Sequence, residues 1–135
     1  MSVSVSVKGE VVTHDTSGVM GGHSQVVPLW LYQRPTELTM PAKGLRALAG
    51  KFSRSPSQDI GVLHELMVEI ADKVAYRTNE TDSRTTAEDA LQQGQGVCQD
   101  HAHIFITVAR LLGYPARYVS GYLMMTDRVD QDAGH

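Results

Sequence analysis

Hydrophobic and polar residues alternate at the start of the chain. Across residues 2–7, three serines fall on one face and three valines on the other, a period of two that predicts a half-buried strand running towards Val12. Residues 14–41 are rich in Gly, Pro, Ser and Thr, which predicts an irregular segment with a short strand around residues 26–32. The first strand needs a sheet partner from elsewhere in the chain.

Apolar residues further along recur at spacings of three and four, which predicts helices. A short helix is expected around residues 45–49, before a break at Pro56. Ser57 is expected to cap a longer second helix. The apolar stripe predicted for that helix consists of Ile60, Leu63, Met67, Ile70 and Val74.

Two more helices are predicted around the only cysteine. Thr85 and Glu88 form a capping-box pattern that opens a short helix, and Gly94 is expected to close it. Residues 99–112 are apolar on nearly every face, which predicts a helix inside the core. Residues 116–123 then follow the pattern of a strand.

Composition indicates one folded domain. The chain has 135 residues, enough for one core, and 41% of them are hydrophobic, which excludes a disordered chain. Twelve basic against fifteen acidic residues give a net charge of -3, so no basic surface for nucleic acid or acidic lipid is expected. The N-terminus lacks a secretion signal and no apolar stretch is long enough to cross a bilayer. A single cysteine excludes an intrachain disulfide, and we expect a reducing, cytoplasmic location.

Cys98 is the residue with the clearest chemical potential. It follows two closely spaced glycines and directly precedes the apolar helix, where backbone N–H groups and the helix dipole favour a thiolate nucleophile. The Cys98 amide could also stabilise an oxyanion. Asp100 would oppose the thiolate if it faced the sulfur, but we expect it to cap the helix. The pattern alone leaves open that Cys98 is a small buried core residue.

Neighbouring polar residues give weaker signals. At about 100° per residue, Cys98 and His101 share a helix face while His103 points away, so a zinc site is not expected and both histidines are predicted to be satisfied polar groups. Gln95 and Gln99 are predicted to be solvated or structural rather than oxyanion donors. The remaining candidates, expected to build the sheet, are Arg117, Tyr118 and Tyr122. Arg117 is expected to form a structural ion pair rather than to contact an acidic or carboxamide substrate.

The run Gly94-Gln-Gly-Val-Cys-Gln-Asp-His-Ala-His103, continued by Ala109-Arg-Leu-Leu-Gly-Tyr-Pro-Ala-Arg-Tyr-Val-Ser-Gly-Tyr122, resembles the core motif of the bacterial transglutaminase-like superfamily. The resemblance implies an α+β fold, a papain-like or transglutaminase-like core in which a central helix with an N-terminal cysteine packs on an antiparallel sheet. It divides the chain into a lead-in at residues 1–41 and a core at residues 42–135, which looks truncated at its C-terminus.

The same resemblance implies a catalytic triad and a reaction. Cys98 matches the nucleophile and His135 the triad histidine, while the triad acid would lie beyond the chain end. The implied activity is that of a cysteine protease or a transglutaminase acting on a peptide or protein substrate, with no cofactor. The alternative is a non-catalytic binding or assembly module of the same superfamily.

Truncation would have two consequences. These 135 residues alone are expected to show no turnover, because the strand of the base and its orienting acid are incomplete. Exposed sheet edges would also favour a homo-oligomer joined through strands.

Overall fold

The computed structural model describes residues 3–19, 27–54 and 59–121, and most of their regular structure is helical. Two short 3-10 helices precede four α-helices and two very short strands. Their bounds are Leu29–Gln33 and Glu37–Thr39 for the 3-10 helices, then α1 Lys43–Ala49, α2 Asp59–Lys73, β1 Ala75–Tyr76, α3 Ala87–Gln93, β2 Gln95–Gly96 and α4 Cys98–Leu111.

The core lies around α4, as its apolar pattern predicts. Helices α1, α2 and α3 all pack against it. Its buried positions lie on more than one face, so that neighbours on several sides can contact it. The buried core residues are Leu45, Leu48, Ala49, Leu66, Ile70, Val74, Ala87, Ala90, Ile104 and Val108.

Helix α2 forms where predicted, and its predicted apolar stripe is partly correct, because Ile70 and Val74 are buried whereas Ile60 and Met67 are exposed. Val62 and Leu66, which the prediction left out, are also buried. The helix carries apolar residues in two adjacent stripes, and packing against α4 selects the one with a spacing of four. The predicted cap, Ser57, lies outside the described residues.

The short helix α3 begins one residue later than predicted. Its capping box pairs Thr86 with Asp89, where the sequence pattern indicates Thr85 with Glu88. Thr86 accepts a hydrogen bond from the Asp89 backbone N–H at 3.2 Å. Gly94 ends the helix in the left-handed conformation, with φ +65°, as expected for a C-terminal glycine.

Glu88 does not take part in the cap of α3, because its carboxylate binds the start of α1 instead. Its buried carboxylate accepts hydrogen bonds from the backbone N–H groups of Gly44, at 2.7 Å, and Leu45, at 2.9 Å. These are first-turn N–H groups of α1, which have no acceptor inside that helix. A side chain of α3 therefore caps α1 and fixes the two helices to each other.

The observed sheet is small and parallel. Strand β1 pairs with β2 so that Ala75 lies opposite Gln95 and Tyr76 opposite Gly96. The expected antiparallel sheet is therefore wrong for the described residues. Because α3 lies between the two strands, the chain crosses over and returns in the same direction. Residues 116–121 form no strand, and the rest of that predicted strand lies outside the described residues.

The N-terminal strand prediction is also wrong for the described residues. Residues 3–12 have no regular structure, and Val3, Val5 and Val7 are 73–86% exposed. An alternating pattern makes a strand only when another strand supplies hydrogen bonds, and no described residue pairs with this one. The short strand predicted around residues 26–32 is replaced by a 3-10 helix from Leu29 onwards, and Val26 lies outside the described residues.

Candidate functional site

Cys98 is the first residue of α4 and is exposed. The preceding Val97 has extended backbone angles and forms the N-cap, and its carbonyl accepts from the N–H groups of Asp100 at 3.0 Å and His101 at 3.2 Å. The alternative in which Cys98 fills the core is therefore wrong. Cys98 belongs to the start of the central helix and lies at the surface of the described structure.

Asp100 caps α4, as predicted, and does so from a buried position. One carboxylate oxygen, Oδ2, accepts from the Val97 N–H at 2.8 Å and from the Thr81 hydroxyl at 2.6 Å. Asp100 is only 1% exposed, and its Oδ1 has no hydrogen-bond partner among the described residues. The turn that carries Cys98 is thus held by a carboxylate two residues further on.

His101 braces the same turn. Its Nδ1 lies 2.9 Å from the Val97 carbonyl oxygen and its Nε2 lies 2.8 Å from that of Val74, at the end of α2. The prediction that this histidine has polar partners is confirmed, and a neutral ring donates its single N–H to one of the two carbonyls. Because both nitrogens face backbone carbonyls, the ring links α2 to α4 and is not free to act as a base.

His103 is buried against a different neighbour. Its ring centroid lies 5.5 Å from that of Tyr118, and its Nδ1 has no hydrogen-bond partner in the described part of the chain. The prediction that it is a satisfied polar group therefore fails at this atom. Burial lowers the pKa of His103, and the negative charge of Asp100 opposes that shift only in part.

The other predicted residues have structural surroundings. The Gln95 amide donates to Glu80 at 3.1 Å, in agreement with its predicted structural role. The Arg117 guanidinium lies 5.9 Å from the centre of the Tyr32 ring, rather than in a strand. His135 and Tyr122 lie outside the described residues.

An apolar groove lies on the same side of α4 as Cys98. It has a volume of about 340 Å³ and lies between α2 and α4. Residues 98, 101, 102 and 105 share this face of α4, since they follow the helical spacing. The lining residues are Met67, Ile70, Ala71, His101, Ala102 and Phe105.

Residues 3–19, 27–54 and 59–121 contain neither a metal-binding cluster nor a membrane-spanning helix. Within these ranges, no three His, Cys, Asp or Glu side chains lie close enough together to hold a metal ion. Within the same ranges, no helix has both the length and the apolar character needed to cross a membrane.

These features define a class of protein: a largely helical domain with a small parallel sheet and an exposed cysteine at the start of its central helix. Residues 46–135 match the model of the Transglutaminase-like superfamily. This match covers more than half of the chain, so the chain belongs to the Transglutaminase-like superfamily.

Individual proteins similar to this chain match only part of it. The uncharacterized protein ML0607 of Mycobacterium leprae is 49% identical over 51 residues, which is 38% of this chain and 18% of that protein. The uncharacterized protein Rv2569c of Mycobacterium tuberculosis is 39% identical over 64 residues, which is 47% of this chain and 20% of that protein. The chain therefore spans about a fifth of the length of these curated relatives.

One similar solved structure is the crystal structure of a candidate cysteine protease from Cytophaga hutchinsonii. The TM-score is 0.53 with 26% sequence identity, over 64% of this chain and 30% of that chain. The likeness supports a transglutaminase-like core for the helices described above.

Proposed function

We propose that the chain carries the nucleophile of a thiol-dependent acyl-transfer enzyme. The Cys98 sulfur attacks the carbonyl carbon of a peptide bond or glutamine carboxamide, the C–N bond breaks, and the amine leaves with a proton. Water or a second amine then releases the acyl group from the sulfur. The observation that carries this proposal is the exposed position of Cys98 at the first residue of α4.

The hydrogen bonds around the helix start support this chemistry. The N–H of Val97 donates to Asp100, and the N–H groups of Asp100 and His101 donate to the Val97 carbonyl. The N–H groups between them, on Cys98 and Gln99, are first-turn donors without an acceptor inside the helix. Two adjacent donors beside the sulfur are suited to stabilise the anionic oxygen of a tetrahedral intermediate.

The proton carrier that we propose is His135, the position that the family resemblance indicates. His101 is unsuitable because both its ring nitrogens lie on backbone carbonyl oxygens. His103 is unsuitable because it is buried against Tyr118. An imidazole from another part of the molecule must therefore approach the sulfur.

The substrate that we propose is a peptide or protein with an apolar side chain near the reacting carbonyl. The groove between α2 and α4 supports this because it lies along the helix face of Cys98 and is lined mainly by apolar side chains such as Met67, Ile70 and Phe105. A peptide acylating the sulfur could place one side chain in this groove. Both hydrolysis and transfer to an amine are compatible with this arrangement.

The test is single-turnover acylation of the sulfur, followed by intact mass. The chain is mixed with the p-nitrophenyl esters of N-acetyl-leucine and N-acetyl-glycine, and each rate is divided by the rate of that ester with free cysteine. We expect one acyl group on Cys98, formed severalfold faster in the native chain than in the unfolded chain. The leucine ester is expected to react faster than the glycine ester because its side chain fits the groove.

The chain supplies its own controls. Cys98→Ser should abolish the thioester, and it leaves the helix start otherwise unchanged. Acylation no faster in the native than in the unfolded chain would contradict the nucleophile and favour a non-catalytic binding module. Equal relative rates for the two esters would contradict the proposed apolar side chain of the substrate but would leave the proposed nucleophile intact.

A further inference from the structure

The loop between β1 and α3 contacts the start of α4 at two neighbouring points. The Gln95 amide donates to Glu80 at 3.1 Å, and the next loop residue, Thr81, donates its hydroxyl to Asp100 Oδ2 at 2.6 Å. The residues that the loop contacts, Gln95 and Asp100, lie on either side of Cys98 in the sequence. This loop is therefore a neighbour of the candidate nucleophile, although it lies about twenty residues earlier in the chain.

The same Asp100 oxygen holds the peptide group that precedes Cys98. Its hydrogen bond from the Val97 N–H is 2.8 Å long. A Cβ at Gly96 would lie 2.7 Å from Asp100 Oδ2 and 2.8 Å from Asp100 Cβ. The carboxylate therefore packs directly on the backbone of Gly96. Its position fixes the conformation of residues 96 and 97, which lead into Cys98.

A buried carboxylate needs donors, and Asp100 has few. Its Oδ1 has no hydrogen-bond partner among the described residues, so within them Oδ2 accepts both hydrogen bonds, one from the Val97 backbone N–H and one from the Thr81 hydroxyl. Removing one donor from a buried charged group costs more than removing one from a neutral group. The Thr81 hydroxyl is thus one of two groups that keep this carboxylate on the Val97 N–H.

We propose that Thr81 is a positioning residue for Cys98. Its hydroxyl holds Asp100 on the Val97 N–H, which fixes the turn that presents the sulfur and the adjacent N–H groups. Because this inference rests on the proposed function, its test separates the geometry of the turn from the reactivity of the thiol. The geometry is measured by hydrogen exchange at the Val97 amide, and the reactivity by iodoacetamide labelling of Cys98.

The decisive variants are Thr81→Val, which keeps the shape and removes the hydroxyl, and Thr81→Ser, which keeps the hydroxyl. We expect Thr81→Val to exchange the Val97 amide about tenfold faster, as loss of one hydrogen bond to a charged group predicts. Alkylation of Cys98 by iodoacetamide at neutral pH should slow severalfold. Thr81→Ser should restore both rates. Thr78→Val, an exposed position of the same loop, is the matched control and should change neither.

Each outcome has one meaning. If Thr81→Val leaves Val97 exchange unchanged, or if Thr81→Ser fails to restore it, the positioning role is overturned. If the original chain is alkylated faster than the unfolded chain and Thr81→Val leaves that rate unchanged, the positioning role is also overturned. If the original chain is alkylated no faster than the unfolded chain but Val97 responds as expected, the positioning of the turn stands and the proposed enzymatic function fails.

Discussion

At the scale of single residues, His103 shows how burial beside the site creates a pH dependence. Its side chain is buried beside Tyr118, and burial lowers its pKa from the ordinary value of 6.5. The folded chain therefore binds fewer protons at this position than the unfolded chain does. Stability must then fall as the pH is lowered through the interval just below 6.5.

Replacing His103 with glutamine should remove this dependence. The free energy of unfolding, measured by urea denaturation, is expected to decline for the original chain as the pH falls from neutral to about 5, and to decline less for His103→Gln. The matched control is His64→Gln on the exposed face of α2, which should decline as the original chain does. Parallel declines in all three chains would exclude His103 as the source.

At the scale of elements, Glu88 on α3 connects to α1 through two hydrogen bonds from the backbone N–H groups of Gly44 and Leu45. Burial alone would raise the pKa of Glu88, but the hydrogen bonds from the Leu45 and Gly44 N–H groups, with one from Gln92, outweigh this and lower it from 4.5. A carboxylate with a lowered pKa stabilises the fold above pH 4.5, and this stabilisation is lost as the pH falls through its lowered value.

We expect Glu88→Gln to destabilise the chain by about 1–3 kcal/mol at neutral pH, because an amide can accept only through one of its two ends. Thermal unfolding and urea denaturation measure this loss. The variant should also show a weaker loss of stability in acid than the original chain. Glu65→Gln, on the exposed face of α2, is the control and should have little effect. Equal stabilities of Glu88→Gln and Glu65→Gln would show that α1 is not capped from α3.

The elements also show what a sequence pattern can and cannot predict. Helices α1, α2 and α4 follow from local spacing, because a helix forms its hydrogen bonds within one segment. The buried face of α2 does not, since two apolar stripes compete and only packing on α4 decides. Strands β1 and β2 have two residues each and lie on either side of α3 in the chain, so no alternating sequence pattern predicts them.

At the scale of the whole molecule, the candidate site has a local and a long-range part. The local part, Cys98 at the start of α4 with Asp100 as its cap, was predictable because glycines, capping residue and apolar helix are adjacent in sequence. The long-range part consists of the hydrogen bond from the Thr81 hydroxyl to Asp100 and the contact of His101 with the Val74 carbonyl. Both depend on how β1 and the loop after it pack against α4. Nothing in the spacing of Thr81 distinguishes it from other threonines of its loop.

The N-terminal third of the chain also divides at this scale. Residues 3–19 are exposed throughout. The two 3-10 helices, in contrast, contact α4 through the Arg110 guanidinium, which donates to the Tyr32 carbonyl at 2.8 Å and to the Thr39 hydroxyl at 3.0 Å. The same guanidinium also holds the Ala116 carbonyl, after α4 ends. One arginine thus joins the segments before and after the central helix.

Two deletions test this division. Removing residues 1–19 should change the free energy of unfolding by less than about 0.5 kcal/mol, because no buried surface is lost. Removing residues 1–41 should cost about 3 kcal/mol or more, because half-buried Arg110 loses two acceptors and the buried Thr39 is removed. Chemical denaturation of the three chains measures both values. Equal stabilities for the two deletions would show that the 3-10 helices do not belong to the core, and a large loss from the shorter deletion would assign residues 1–19 to it.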